Sequence, residues 1–575
     1  NKIAGGWSST HVRTVPTMML LRQSCRIHQM LPRSSPPATF PHLVRINAST
    51  LKRGICTAPN KMLRRLCYSP PAKGATAITK KWSWVCQQRR PMTVYGDGKR
   101  WTGALGTGWD DMMDPARQLS NDDGKLSELR WEGGGGDVGI EEGIRLGRIK
   151  NVVGAAAGWG HTALVVQPEN SDATKLLVCG RPHDFQTLLR LRRLPSFLRN
   201  FALQSSLREH RDKEQSLLDK VVSVLTSVNK EVVKTDDGHE IERPISVLPT
   251  FTEIFLPEGD KPASSLSLRN NDVMPRTFLA ASAGLTAIVG QSGTLYTIGI
   301  NNRGQCGTGK FTNNVWTPTP IMNPSQEGPI IDVSLGLQHG LALDDGGNLF
   351  TWGKGERGQL GQGAGSAMEN TTSESALKVD DFRLLSDKSG RRNVLTGEDA
   401  QVISMSAGMN HSAAVTKSNH AFVWGKNVSP PGPDDGKGKP AVDSSSPRLV
   451  EGLPSDLQIV AVTCASHHTA FLLEDGSVWG IGVATDNGQP IMEKAVEMIP
   501  AGLIEMPPRQ FVGHFDRTTV VGKGGRQVLE VQLWSHEELR EGAALTPPWM
   551  DQIETDETVR FVSQGWMHKV VATDD

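Results

Sequence analysis

The sequence predicts an all-β protein: a seven-bladed β-propeller whose N- and C-terminal hairpins close one blade, with a helical insertion set into the ring. Three observations carry this expectation. A short unit recurs seven times in degenerate form, its pieces read as hairpins of short strands, and the first and last pieces are complementary halves of one unit. A unit this small cannot bury its apolar face alone, so its repetition points to packed, closed sheets rather than to a single catalytic pocket.

The inner half of the unit reads Gly-x-x-His-[Ser/Thr]-Ala. It occurs at Gly158–Ala163, Gly336–His339, Gly408–Ala413, Ala465–Ala470 and Gly565–His568. Two weaker copies fill the gaps: Ser282–Ala287 carries Leu285 in place of His, and Gly513–Asp516 carries Asp516. The outer half reads aromatic-x-Trp-Gly, then Gly-Gln-[Leu/Cys]-Gly-x-Gly, and is clearest over Phe350–Gly363. Further copies centre on Tyr95, Cys179, Tyr296, Trp424, Trp479 and Leu533. Turn sequences such as Asp345-Gly346-Gly347 and Asp475-Gly476 separate β-branched and aromatic runs, as hairpins require. Their order matters more than their number. Tyr95–Gly108 is an outer half without an inner half, and Phe561–Ala572 is an inner half without an outer one. Pairing these two ends removes two orphan strand edges, which are otherwise sites of aggregation.

The repeated residues read as architecture. His161, His339, His411, His468 and His568 would suit a metal cluster if they converged, but a ring distributes them. Buried imidazoles hydrogen-bonded to neighbouring backbone are therefore the favoured reading. Trp352, Trp424 and Trp479 read as packing between blades. Gly304, Gly307, Gly358 and Gly361 read as tight turns or close approaches. A phosphate-binding loop is the rival for these glycines, but no Gly-Lys-[Ser/Thr] follows them. Pro318, Pro320 and Pro447 are expected at crossings between blades. No catalytic set, metal-ligand spacing or cofactor motif is read, so the protein is taken as a non-enzyme without a cofactor.

These motifs resemble the regulator of chromosome condensation repeat family, most closely at Val333–Gly363 and Leu295–Gly309, and the likeness extends over roughly 92–575. The resemblance implies a seven-bladed propeller. Mitochondrial members of similar arrangement serve assembly of respiratory complexes or ribosome biogenesis. The nuclear founder promotes guanine-nucleotide exchange on a small GTPase with one propeller face and a projecting wedge. No matching wedge or catalytic Asp can be placed in this sequence.

The formal charge of +1 hides an asymmetry. Residues 1–96 hold 16 Lys/Arg and no acid, leaving 46 basic against 61 acidic residues in the remainder. An acid-free, Arg-rich segment over 1–91 has the composition of a mitochondrial targeting leader, expected to be disordered. A basic nucleic-acid-binding arm and an ordered basic surface are the rivals. Because 92–575 is net acidic, RNA contact would need a local patch. No apolar run reaches the length of a spanning helix. Cys179, Cys306 and Cys464 are far apart and read as buried thiols in a reducing compartment.

Interruptions of the repeat are where specificity is expected. From His161 to Leu285 is 124 residues, against 48 to 72 for later steps between successive inner positions. The insertion, placed at 184–264, alternates apolar and charged residues with helical spacing. Leu188, Arg192, Phe197, Phe201, Leu218 and Val222 are its candidate partner-binding residues. A helical hairpin folded on the ring, a protein-docking arm and a membrane-surface helix all fit this pattern. Residues 110–145 are acidic and glycine-rich and expected to be disordered, and 363–397 and 430–446 are polar and read as exposed loops. The expected function is a mitochondrial protein-interaction scaffold in the matrix or on the matrix face of the inner membrane, assembling a respiratory complex or the mitoribosome. A GTPase exchange factor is the alternative.

Overall fold

Short runs of β-branched and aromatic residues between Gly- and Asp-bearing turns form four-stranded antiparallel meanders. The computed structural model describes residues 46–47, 93–98, 102, 104–107, 127–128, 130–132, 137–139, 149–168, 171–183, 230–234, 240–244, 248–264, 274–322, 328–363, 371–384, 394–429, 442–466, 468–482, 494–514, 517–532, 549–554, 558–566 and 568–574. All lie in one compact unit, Phe40–Asp575. Among the described residues the only helical turns are two 3-10 segments, Pro257–Gly259 and Gly397–Ala400. The protein is an all-β propeller.

Blade 1 consists of Ile149–Ala157, His161–Pro168, Lys175–Gly180 and Leu248–Ile254. Blade 2 is Leu279–Ala281, Leu285–Val289, Leu295–Ile300 and Asn314–Pro320. Blade 3 is Ile330–Leu335, His339–Asp344, Leu349–Gly353 and Ser373–Val379. Blade 4 is Val402–Ala407, His411–Thr416, Ala421–Ser429 and Val442–Leu449. Blade 5 is Ile459–Cys464, His468–Leu473, Val478–Gly482 and Val496–Ile499. Blade 6 is Gln510–Gly513, Thr518–Val521, Gln527–Gln532 and Trp549–Glu554.

The expectation of seven blades is thus corrected to six, each a single run of chain; the expected pairing of the two ends is present, in a further four-stranded sheet built from both. In it Thr93–Gly98 pairs antiparallel with His568–Asp574, from Thr93 opposite Thr573 to Gly98 opposite His568. Thr558–Gln564 completes its inner side and Ser127–Glu128 its outer side.

The core is divided among the contacts between neighbouring sheets. Ala287, Val333, Phe350 and Trp352 lie between blades 2 and 3. Leu341, Phe382, Phe422 and Trp424 lie between blades 3 and 4. Between blade 6 and the closing sheet the described cluster shrinks to Val521, Val528, Val559 and Val562. Inner strands are also stitched through hydroxyls. Ser334 Oγ accepts the Ala407 N–H at 3.0 Å, Ser406 Oγ that of Cys464 at 2.9 Å, and Ser563 Oγ that of Ala157 at 2.8 Å. The last of these crosses the seam between the closing sheet and blade 1. Arg560 crosses it too, donating to Asn151 Oδ1 at 2.6 Å.

Several expected boundaries move. The insertion ends before Leu248, because Leu248–Ile254 is the outer strand of blade 1, bonded to Lys175–Gly180. The helical reading of the insertion is not shown: its described portion before that strand is a hairpin of Lys230–Lys234 and Glu240–Pro244. Within 110–145, Ser127–Glu128, Arg130–Glu132 and Asp137–Gly139 are strands, and Trp131 pairs in parallel with Phe251 at the edge of blade 1. Within the leader, Ile46–Asn47 pairs with Trp549 and Met550 of blade 6. Ser373–Val379 and Val442–Leu449 likewise take residues from the expected loops 363–397 and 430–446. Pro318, Pro320 and Pro447 lie within outermost blade strands rather than at crossings. An outer strand has a neighbour on one side, so a missing N–H is tolerated there.

Because the closing sheet needs both ends, deleting 561–575 removes His568–Asp574 and strips Thr93–Gly98 of its partner. The expected result is loss of the cooperative thermal transition; a truncated protein melting at the parent temperature would refute closure by this pairing.

Candidate interaction face

The five repeat histidines do not converge. Each lies at the start of the second strand of its sheet and reaches the next sheet. His161 Nε2 meets Thr286 Oγ1 at 2.9 Å, His339 meets Ser412 Oγ at 3.1 Å, and His411 meets Thr469 Oγ1 at 3.1 Å. His468 meets Thr518 Oγ1 at 2.9 Å, and His568 meets Thr162 Oγ1 at 2.7 Å across the seam. The hydroxyl partner is always the residue after the histidine position in the next sheet. Thr162 donates to the Ala104 carbonyl at 2.6 Å and Ser412 to that of Gln359 at 2.9 Å. Those hydroxyls therefore receive the imidazole Nε2–H, which assigns the neutral Nε2-protonated tautomer to His568 and His339.

Burial keeps three of these rings neutral. It pulls His161 down to about 3, with His568 and His183 acting in the same direction, and pulls His339 and His568 down to about 4. Among the described residues, no group of three or more His, Cys, Asp or Glu is placed to hold a metal. The free thiols of Cys179, Cys306 and Cys464 are buried, and burial pushes the Cys464 thiol up to about 12.

Two interfaces use other chemistry. Leu285 holds the histidine position in blade 2, and the hydroxyl position of blade 3 is Gly340, so neither member is polar. In blade 6 the histidine position belongs to Arg517, not Asp516. The signature bond from the first residue of the turn to the carbonyl at the histidine position runs from Gly336 to His339, and here from His514 to Arg517. At the next hydroxyl position stands Lys569. Arg517 and Lys569 both bond Glu530, at 2.8 and 2.7 Å, and the Glu530 side chain is 3% exposed. Burial opposes ionisation of Glu530, but Lys569 and Arg517 outweigh it and hold the carboxyl at about 2. This ionic bridge spans the contact where the described apolar cluster is smallest.

The tryptophans divide. Trp352 Nε1 donates to the Gln305 carbonyl of blade 2 at 2.8 Å, and Trp424 Nε1 to that of Gln359 of blade 3 at 2.9 Å. Both indoles are fully buried. Each also lies on a glycine of that preceding blade. A Cβ on Gly307 would come 2.9 Å from Trp352, and one on Gly361 2.8 Å from Trp424, with positive φ at both glycines. Gly304 and Gly358 rest against the carbonyls of Ser373 and Ser444 in the following blade. Trp479 packs between blades too, but in another register: Ile481, opposite Thr469, holds the position of Trp352 and Trp424, while half-buried Trp479 lies opposite Phe471, packs on the cluster between blades 4 and 5 and bonds Ser477 Oγ at 3.2 Å.

Strand direction sorts the loops. In each antiparallel sheet the first-to-second turn and the third-to-fourth connection emerge on the same face. Backbone bonds join them: Arg181 to Gly160, Ile300 to Gly284, Lys354 to Gln338, and Lys426 to Asn410. All the third-to-fourth connections therefore start and finish on one face: 99–126, 181–247, 301–313, 354–372, 430–441, 483–495 and 533–548. Leu188, Arg192, Phe197, Phe201, Leu218 and Val222 lie outside the described residues, but their segment leaves this face after His183 and returns at Leu248, opposite Gly180. The His183 ring is edge-on to Trp316 of blade 2, centroids 4.6 Å apart, and burial lowers it to about 4.

Around the inner turns of the same face stand half-buried Trp159, Leu337, Met409 and Trp566. Trp159 and Trp566 meet across the seam with ring centroids 5.0 Å apart. The opposite end of the inner strands is charged. There Arg276 pairs with Asp332 at 3.5 Å and donates to the Ile403 carbonyl at 2.7 Å, and Arg509 and Arg560 face Asp574.

Fold and face define a class: a β-propeller whose longest connection, 181–247, rises on the face of the inner turns. Its repeat has a known identity. The family model described as the regulator of chromosome condensation (RCC1) repeat matches residues 292–343, and a second model of that repeat matches 330–359. The chain carries repeats of the regulator of chromosome condensation family. Human probable E3 ubiquitin-protein ligase HERC6 is 30% identical over 190 residues, 33% of this chain and 16% of that protein. Ultraviolet-B receptor UVR8 of Arabidopsis thaliana is 30% identical over 171 residues, 30% of this chain and 33% of that one. The RCC2 homolog of Danio rerio is 28% identical over 153 residues, 26% and 30% of the two chains. The chain spans a third or less of the length of each. Among solved structures, human WBSCR16 has 16% identity and a TM-score of 0.48, covering 84% of this chain and 100% of that one. Prp20p from Saccharomyces cerevisiae has 15% identity and the same TM-score, covering 84% and 92%.

Two predictions follow from the links between sheets. His161, His339 and His568 have folded pKa values below their ordinary 6.5, so the unfolded chain takes up protons first. Stability is therefore fully present above pH 6.5 and is lost as pH falls toward 4, by at most about 1.4 kcal/mol per pH unit per histidine. Thermal midpoints should fall from pH 7 to pH 5, and His339→Gln should flatten that dependence; a flat parent profile would contradict it. Glu530→Gln should cost about 3–5 kcal/mol, since it leaves two cations facing each other in a buried site. The triple variant Arg517→His, Glu530→Thr, Lys569→Thr should recover much of the melting temperature, because blades 2 and 3 carry Thr297 and Thr351 at the Glu530 position.

Proposed function

We propose that the protein is a non-enzymatic interaction scaffold that holds a protein partner on its insertion-bearing face. The observation that carries this reading is the placement of the longest connection, 181–247, and of the other third-to-fourth connections on the face of the inner turns, while the sheets beneath are locked by repeated links. A rigid frame with variable loops on one side is how propellers and other scaffolds present binding residues. The relatives support the coarse reading: proteins as different as a ubiquitin ligase and a light receptor share the repeat, so the repeat fixes no single chemistry.

We place it in the mitochondrion, in the matrix or on the matrix face of the inner membrane. The support is the leader, with 16 cations and no acid in residues 1–96. There it acts as an assembly or biogenesis factor for a respiratory complex or the mitoribosome, the role that resemblance to mitochondrial repeat proteins suggests. Regulation of a small GTPase is the second reading, supported by the family of the repeat.

Proximity labelling in cells by the full chain and by a chain lacking 184–247 tests both compartment and face. The deletion should keep the parent melting temperature and lose the parent's mitochondrial neighbours. Unchanged neighbours would exclude the insertion as the capture element, and a nuclear or cytosolic set would exclude the compartment. Accelerated release of labelled GDP from a labelled GTPase would move the second reading ahead of the first.

A further inference from the structure

The insertion-bearing face carries an arc of cations beside its apolar inner rim. Lys354 and Lys426 follow the glycines opposite His339 and His411, and their N–H groups bond Gln338 and Asn410. Those two residues sit next to Leu337 and Met409, whose own turns are joined by the Leu337 N–H to Met409 carbonyl bond at 3.2 Å. Outward from the lysines come Arg357 and Arg303. The acids among them are Glu356, which meets Arg303 at 3.2 Å and Lys354 at 3.5 Å, and Asp443, which meets Arg357 at 3.2 Å. Among the described residues joined by these ion pairs and Lys426, four cations stand against two carboxylates, although residues 97–575 as a whole are net acidic. Burial, and then the like charges of Arg357 and Lys354, lower the Lys426 ammonium, so the cations crowd one another.

We propose that the surface over blades 3 and 4 docks an acidic protein segment that places one apolar side chain on Leu337 and Met409 and its carboxylates on Lys354, Arg357 and Lys426. This rests on the scaffold reading above and names the chemistry of the partner. An apolar contact ringed by one sign of charge selects a ligand with both features, because either alone gains little at a solvated surface. Leu337 and Met409 supply area, and the cations supply register and steering.

The test uses the full chain and a fluorescein-labelled 12-residue peptide of alternating Asp and Glu around one central Trp. Two control peptides replace the acids by Lys or the Trp by Ser. Fluorescence polarisation should show binding of the acidic Trp peptide that weakens with salt, and at least about tenfold weaker binding of both controls. Lys354→Glu with Lys426→Glu should weaken it by about tenfold or more and remove most of the salt dependence, and Met409→Ser should weaken it without changing that dependence. Lys523→Glu, at an exposed turn on the opposite face, should leave it unchanged. Melting temperatures confirm that each variant is folded. Equal binding of the Lys peptide, or parent affinity in the doubly reversed variant, would overturn the proposal. So would a single-stranded RNA or an anionic vesicle that binds these lysines more tightly than the peptide. If proximity labelling still recovers a partner when the reversed variant is used, the scaffold reading stands and this surface fails.

Discussion

The bond from an imidazole of one sheet to a hydroxyl of the next is the constraint on which the rest of the structure depends. A four-stranded meander has two apolar faces and cannot stand alone. Hydrophobic packing between sheets supplies most of the free energy but is tolerant of sliding. A buried hydrogen bond is not, because a shift that breaks it strands two polar groups without water. His161 on Thr286, His339 on Ser412 and their counterparts therefore set the register of each sheet on its neighbour. The indoles of Trp352 and Trp424 add a second fixed point farther out, held by one carbonyl and fitted over one glycine each.

Exceptions to this pattern are matched in pairs, which argues that the unit of design is the interface rather than the blade. Where histidine becomes Leu285, the facing position has become Gly340. Where it becomes Arg517, the facing position has become Lys569, and Glu530 supplies the charge that lets two cations face one another. A buried ionic bridge is costly to assemble and severe to break, so it is weak as a source of stability and strong as a source of geometry. Its position is consistent with that division. It lies where the described apolar contact has shrunk to four valines, at the join between the last contiguous blade and the composite sheet.

Much of this was legible from local signals. Gly-x-x-His and aromatic-x-Trp-Gly place turns and strands directly, and the half-units at Tyr95 and Phe561 pointed to their mutual pairing. Errors arose where a look-alike stood near the true position. Gly513 imitates the turn glycine, but the backbone bond begins at His514, which moves the histidine position from Asp516 to Arg517. Val478-Trp479-Gly480 imitates the tryptophan motif, yet the pairing of His468 with Gly482 puts Ile481 at the register of Trp352 and Trp424, and Trp479 packs between blades 4 and 5 two residues earlier. The insertion was read too long because Leu248–Ile254 has no motif of its own; it is a strand by virtue of the open edge at Lys175–Gly180. Outer strands are hardest to read, since one neighbour and a solvent-facing side impose few residue requirements. The cationic arc was not legible at all: Lys354 and Arg357 share one loop, but Lys426 is about 70 residues away and meets them because successive loops rise on one face.

The composite sheet also imposes an order in time. Thr93 pairs with Thr573, so one strand waits for another made about 480 residues later. Contiguous blades can form as they emerge, whereas this pairing must close a loop that holds all six of them. Until then the edge of Thr93–Gly98 and the inner face of blade 1 stay exposed, and a chain stalled at that stage presents both to other chains. The sheet that completes the ring is for that interval its most vulnerable part, and a chaperone acting on this protein has its longest task there.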